Sequence, residues 1–118
     1  MKIIFDLDGT LIDVSDRHYA VYREVSDELR GIALEKQAYW DLKKENAQWP
    51  KLLEYSKIPQ ANLADFMNLF IGKIEQPKYL KKDKLFPATK KVLSSLSNHE
   101  LYLLSLRRSA QTLLDELE

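Results

Sequence analysis

Residues 1–13, MKIIFDLDGTLID, set the apolar run Ile3-Ile4-Phe5 directly against two carboxylates, Asp6 and Asp8, followed by Gly9 and Thr10. The run is short, β-branched and aromatic, as a buried parallel strand should be. Asp6 then falls at the strand's carboxyl end. In open α/β sheets ligands bind in the crevice beyond those ends, so a carboxylate there meets a substrate rather than solvating a surface. Strand side chains alternate with a period of two, so Asp6 and Asp8 start on the same side, and Gly9 turns the chain after them. Two carboxylates converging on one pocket repel each other. A hard divalent cation relieves that repulsion, and Mg²⁺ takes one or two protein carboxylates together with substrate phosphate oxygens and water.

Asp-Leu-Asp-Gly by itself reads equally as a strand entering a turn, because Asp and Gly are ordinary turn residues. The longer string, Phe5-Asp6-Leu7-Asp8-Gly9-Thr10-Leu11-Ile12-Asp13, is far more specific. It resembles the first motif of the haloacid dehalogenase (HAD) superfamily, position by position. The resemblance implies that Asp6 is the nucleophile that becomes an aspartyl phosphate, and that Asp8 is the general acid and base. It also implies Mg²⁺ as cofactor, held by the Asp6 carboxylate and the Asp8 main-chain carbonyl, with Gly9 and Thr10 beside the phosphate. An acid at the second position is the phosphatase and phosphomutase pattern of that superfamily. The activity implied is therefore Mg²⁺-dependent hydrolysis of a small phosphorylated metabolite.

Composition excludes several other classes. Among 118 residues, 18 Lys and Arg balance 18 Asp and Glu, so no net field attracts nucleic acid or an anionic membrane. There is no cysteine, which excludes a disulfide scaffold. With neither a signal peptide nor an apolar run of about 18 residues, a cytoplasmic location is expected. The Lys78 to Lys84 stretch, with four lysines and one aspartate, reads as a solvated linker.

Between the motif and residue 85 the apolar period is helical. Val21, Tyr22, Val25 and Leu29 predict a helix over 16–30 that Gly31 stops; Ala38, Tyr39 and Leu42 predict one over 35–47. Pro50 opens a shorter stretch with Leu52, Leu53 and Tyr55, and Pro59 marks a restart. Leu63, Phe66, Met67, Phe70 and Ile74 form the most regular stripe, over 62–75, which Pro77 ends. On these grounds alone the segment is a small helical bundle. The resemblance implies a cap, and makes Asp13, Ser15, His18 and Tyr19 substrate-contact candidates. Their ordinary readings are N-caps for Asp13 and Ser15, a surface position for His18 and bundle core for Tyr19. Trp40 and Trp49 read as packing.

Leu85-Phe86-Pro87 precedes a predicted helix over 88–97 with Val92, Leu93 and Leu96 toward the sheet, and Asn98-His99 forms the turn. Leu101, Tyr102, Leu103 and Leu104 then run as a second buried strand into Ser105. A Ser closing a strand is common at turns. Its place after that helix and strand resembles the superfamily's second motif, which implies that the Ser105 hydroxyl binds a phosphoryl oxygen. Arg107 and Arg108 follow as candidates for a charge-assisted substrate contact or as solvated residues entering a last helix.

The superfamily pattern continues with a Lys and with acidic residues at a further strand end. No residue here takes either role, since Asp115, Glu116 and Glu118 lie in a helical pattern. The expected fold is α/β, a partial HAD-like Rossmannoid core over 1–14 and 85–118, with parallel strands near 2–7 and 100–105 and a helical cap over 15–84. A doubly wound core normally needs about five strands, and the first strand would present an unpaired edge that invites another chain or a swapped protomer. Three readings stay open: a piece of a longer hydrolase, half of a split enzyme completed by a partner or a second copy, and a noncatalytic interaction module built on the same remnant.

Overall fold

The computed structural model describes residues 2–6 and 8–104. In chain order these form β1 (Lys2–Asp6), β2 (Ile12–Asp13), α1 (Ser15–Glu28), α2 (Lys36–Lys44), α3 (Trp49–Tyr55), α4 (Leu63–Ile74), α5 (Pro77–Leu80), β3 (Lys84–Leu85), α6 (Thr89–Ser95) and β4 (Glu100–Leu104). A 3₁₀ turn, Gln60–Asn62, leads into α4. The chain divides into two compact units, one comprising Met1–Arg17 with the chain from Pro77 onward, the other His18–Gln76.

In the first unit β1 and β4 pair in parallel over five positions, from Lys2 opposite Glu100 to Asp6 opposite Leu104. Both strands arise where the apolar runs predict them. The expected full burial of β1 does not hold: Ile3 and Phe5 turn to a half-buried side, while Ile4 is 69% exposed. Among the described residues β4 is the only strand beside β1, and the side of β1 that bears Lys2, Ile4 and Asp6 is exposed. Phe5 packs instead on a cluster of Leu11, Ile12 and Val14, all nearly solvent-free.

A second sheet was not predicted. Ile12 and Asp13 pair antiparallel with Leu85 and Lys84, forming a ribbon of two residues a side. Two residues are too few to display a period of two, so the ribbon leaves no pattern in the sequence. Pro77 follows the end of α4, as predicted, and also opens α5. Proline suits the first turn of a helix as well as a position just after one, and here it takes both. Tyr79 and Leu80 on α5 are buried, so the lysine-rich stretch is solvated only at its lysines. Leu93 in α6 and Leu96 just after it are half-buried, Val92 is exposed and the buried residue of α6 is Thr89.

The second unit is helical, and its core is aromatic. Tyr22 and Tyr39 stack with ring centroids 4.4 Å apart, and Phe66, Phe70 and Trp49 pack beside one another. The Tyr22 hydroxyl accepts the Leu34 N–H at 2.8 Å and bonds the buried Ser56 hydroxyl, satisfying both of these hydroxyls, whereas the buried Tyr39 hydroxyl has no hydrogen-bond partner among the described residues. Burial, and secondarily neighbouring Tyr22, pushes the Tyr39 phenol above its ordinary pKa of 10.0. Burial also lowers the pKa of Lys43, whose ammonium sits 4.3 Å from the Trp49 ring centre. Of the residues on the predicted stripes, Tyr39, Leu52, Leu53, Phe66 and Phe70 are buried, whereas Ala38, Tyr55 and Met67 are exposed.

The first three helices end in the same way. α1, α2 and α3 each terminate on a residue with positive φ, Arg30, Asn46 and Lys57 respectively. In each case the next residue donates back to a carbonyl five positions earlier, as in Gly31 to Ser26 at 2.8 Å and Ile58 to Leu53 at 2.9 Å. The left-handed position after α1 is therefore Arg30, not the predicted Gly31. Gly31 is needed for a different reason: a Cβ there would lie 2.5 Å from Ile58 Cγ1 and 2.6 Å from the Ser56 carbonyl oxygen. Gly72, on the exposed side of α4, has no such neighbour within 4 Å.

These two glycines predict opposite outcomes in chemical denaturation. Gly31→Ala should destabilise by about 1–3 kcal/mol through overpacking against Ile58 and backbone, while Gly72→Ala should stabilise by about 1 kcal/mol through helix propensity. Equal effects of the two substitutions would contradict the packing described.

Candidate active site

Asp6 occupies the last position of β1, on the exposed side of the strand, opposite Leu104 in the parallel register. Among the described residues no hydrogen bond or ion pair engages its carboxylate. Asp8 lies just beyond the strand, where it forms an isolated bridge with Ile12. Between them and β2 the chain reverses at Gly9, whose φ of +81° belongs to the left-handed region, and the Gly9 N–H donates to the Ile12 carbonyl at 2.9 Å. Glycine carries this conformation without the steric cost of a Cβ. Thr10 is exposed at the tip of the turn.

The loop is pinned from the returning chain. The Leu11 carbonyl accepts the Phe86 N–H at 3.2 Å and the Thr89 hydroxyl at 2.8 Å. Thr89, at the start of α6, is buried to 4% exposure, so this bond is shielded from water. Together with the β2–β3 ribbon it fixes residues 9–13 against residues 84–89. Asp13 takes the capping role predicted for it, its Oδ1 accepting the Ser15 N–H at 2.9 Å as α1 begins.

Asp8 is held from the side. Arg17 on α1 directs Nη2 to Asp8 Oδ2 at 3.4 Å and donates from Nε to Asp83 Oδ1 at 3.1 Å. The Arg17 and Asp83 side chains are 1% and 0% exposed, and that of Asp8 is 34% exposed. Neither Arg17 nor Asp83 was singled out from sequence, yet both left a trace. Arg17 falls on the stripe Val14, Arg17, Val21, Val25, where a charge interrupts an apolar face. Asp83 is the single acid in a lysine run. The Asp16–Lys84 pair nearby, at 3.5 Å, is solvent-exposed and contributes little.

The remaining candidates separate by location. Ser105 follows Leu104, the register partner of Asp6, but lies outside the described residues, as do Arg107 and Arg108. His18 and Tyr19 belong to the helical unit. His18 is half-buried rather than superficial, its ring 6.3 Å from Trp40 and 6.1 Å from Phe70. The Tyr19 hydroxyl donates to the Leu34 carbonyl at 2.7 Å, a core role.

For a metal, the available donors are the Asp6 carboxylate and the main-chain oxygen at Asp8, both hard oxygens. Among the described residues no group of three or more His, Asp or Glu stands together. A cation that takes one or two carboxylates and fills its other positions with water and substrate oxygens fits that donor set, and Mg²⁺ is such a cation.

Residues 3–112 match the family profile of haloacid dehalogenase-like hydrolases. Comparison with curated proteins finds no match. Among solved structures, a candidate phosphatase from Clostridium difficile superposes with a TM-score of 0.71 at 20% identity, over 98% of this chain and 54% of that one. A haloacid dehalogenase-like family hydrolase from Streptococcus pneumoniae gives a TM-score of 0.70 at 19% identity, over 98% and 53%. A candidate β-phosphoglucomutase from Thermotoga maritima gives 0.62 at 20% identity, over 98% and 54%. The chain thus spans about half the length of the structures it resembles, and shares their fold over that half.

The pinning of the loop is open to a direct check. Thr89→Val keeps the side-chain shape and removes the bond to the Leu11 carbonyl, which retains the Phe86 N–H. Denaturant unfolding should show a loss of about 1 kcal/mol; an unchanged midpoint would mean that the bond does not hold the loop.

Proposed function

The chain belongs to the haloacid dehalogenase-like hydrolase family, and from that premise we propose that it is built for Mg²⁺-assisted hydrolysis of a small phosphorylated metabolite through an aspartyl phosphate on Asp6. The observation that carries the reading is the position of Asp6, an exposed carboxylate at the carboxyl end of a parallel strand, clear of any partner among the described residues. A nucleophile must be accessible and uncommitted, and in an α/β sheet this is where ligands meet the strands.

In the first half-reaction an Asp6 carboxylate oxygen attacks phosphorus, the bond from phosphorus to the ester oxygen breaks, and Asp8 gives its proton to the departing oxygen. In the second, water attacks the phosphorus of the aspartyl phosphate, Asp8 takes the proton from that water, and the Asp6 carboxylate is released with inorganic phosphate. Bound at the Asp6 carboxylate and the Asp8 carbonyl, Mg²⁺ would offset charge on the transferring group. Gly9 and Thr10, at the turn, would offer main-chain and hydroxyl donors to phosphate oxygens, and Ser105, which lies outside the described residues, would offer a further hydroxyl. In this reading the helical unit is the cap, and the protein works in the cytoplasm. Transfer to a sugar hydroxyl instead of water would use the same aspartyl phosphate.

A second reading, a module that acts with another chain or copy, draws on one observation: among the described residues β1 is paired on one edge only. Such an edge is a template for a further strand.

An aryl phosphate assay on the 118-residue chain separates the two. Hydrolysis should require Mg²⁺, disappear in Asp6→Asn and fall by about 10²–10⁴ in Asp8→Asn. Activity indifferent to Asp6→Asn would end the assignment, and a folded chain without hydrolysis would favour the second reading.

A further inference from the structure

Arg17 is an unusual residue to find beside a proton-transfer group. A guanidinium stays charged at any physiological pH, so burying it demands compensating acceptors. Here they come from two distant parts of the chain. Asp83, 66 residues later and itself fully buried, accepts from Nε at 3.1 Å, and Asp8, nine residues earlier, faces Nη2 at 3.4 Å. The guanidinium is planar and rigid, so anchoring Nε on a buried carboxylate also fixes the direction of Nη2.

We propose that Arg17, anchored by Asp83, is a positioning residue that sets the side-chain direction of Asp8; its catalytic consequence rests on the reading of Asp8 as acid and base. The arrangement differs from a purely structural ion pair in one respect. A buried pair of Arg17 with Asp83 alone would tie the start of α1 to the segment before β3, and a well-packed apolar pair would do the same at least as well. Extending the guanidinium to a half-exposed carboxylate adds nothing to that tie. It does restrict the rotation of Asp8, whose side chain is 34% exposed and stands one residue before the glycine turn. Acid–base catalysis is sensitive to such restriction, because misplacement by about 1 Å costs up to about 10²-fold in rate.

Asp8 is thereby linked to a residue on the chain's return path. Asp83 immediately precedes β3, whose pairing with β2 closes the same loop from the other side. Position 83 therefore shapes the site without touching it.

The test follows the side-chain carboxyl ¹³C resonance of Asp8, assigned by its loss in Asp8→Asn, in the full chain. It is combined with kcat and KM for an aryl phosphate. In Asp83→Asn and Arg17→Lys, each first checked for a native circular dichroism spectrum, the Asp8 resonance should move. In the same variants kcat should fall by about 10- to 100-fold with KM within about twofold. Arg17→Lys should retain more activity than Arg17→Gln, since it keeps the charge and loses only the fork. Should the buried substitutions prevent folding, Asp8→Asn gives the reciprocal reading: the Arg17 Nη resonances should shift. Asp8 carboxyl signals that ignore folded Asp83→Asn, or Arg17 signals that ignore Asp8→Asn, would overturn the positioning role. If the resonances are coupled but hydrolysis is indifferent to Asp6→Asn, positioning stands and the phosphatase reading falls.

Discussion

The parallel pairing of β1 with β4 is the constraint on which the rest depends. Parallel strands cannot be joined by a tight turn, so the chain must leave β1, travel, and return in register. In this protein the journey between Asp6 and Glu100 includes an entire helical unit. The register places Asp6 opposite Leu104, so the carboxyl ends of both strands finish together, which is where an α/β sheet presents chemistry. The excursion needs closing at its base. The two-residue ribbon of β2 and β3, the Leu11 carbonyl bound by Phe86 and Thr89, and the Arg17–Asp83 pair all join the outgoing chain to the returning one.

These closures differ in energetic character. The Thr89 bond satisfies a buried hydroxyl and the ribbon adds backbone hydrogen bonds, so losing them costs stability directly. The Arg17–Asp83 pair is different, because the desolvation of two charges offsets most of their attraction. Its value lies in direction rather than in stability.

The sequence displays the elements that have a period and conceals those that lack one. The Ile3-Ile4-Phe5 and Leu101 to Leu104 runs mark both long strands, and the Leu63 to Ile74 stripe marks α4 within a residue of its ends. Two-residue strands carry no alternation, and Pro77 is compatible with either end of a helix, so β2, β3 and α5 stay hidden until the chain is folded. Gly31 resembles a helix stop but serves a close approach to Ile58, because Arg30 takes the left-handed position beside it. At the site, the residues with motif spacing, Asp6, Asp8, Gly9 and Thr10, were legible as candidates. Arg17 and Asp83 were not, since their partnership spans 66 positions and neither type is diagnostic alone. An isolated charge within an apolar stripe, and a lone acid among lysines, are the local conflicts that point to such a pair.

Asp6 as the phosphoryl acceptor is the centre of the account, and covalent trapping tests it most directly. The chain would be exposed briefly to Mg²⁺ and a small acyl phosphate donor, quenched in acid, reduced with borohydride and mapped by peptide mass spectrometry. Reduction converts an aspartyl phosphate to homoserine, so the account predicts homoserine at position 6 and nowhere else. Unmodified Asp6, or homoserine at Asp8 or another acid, would contradict it.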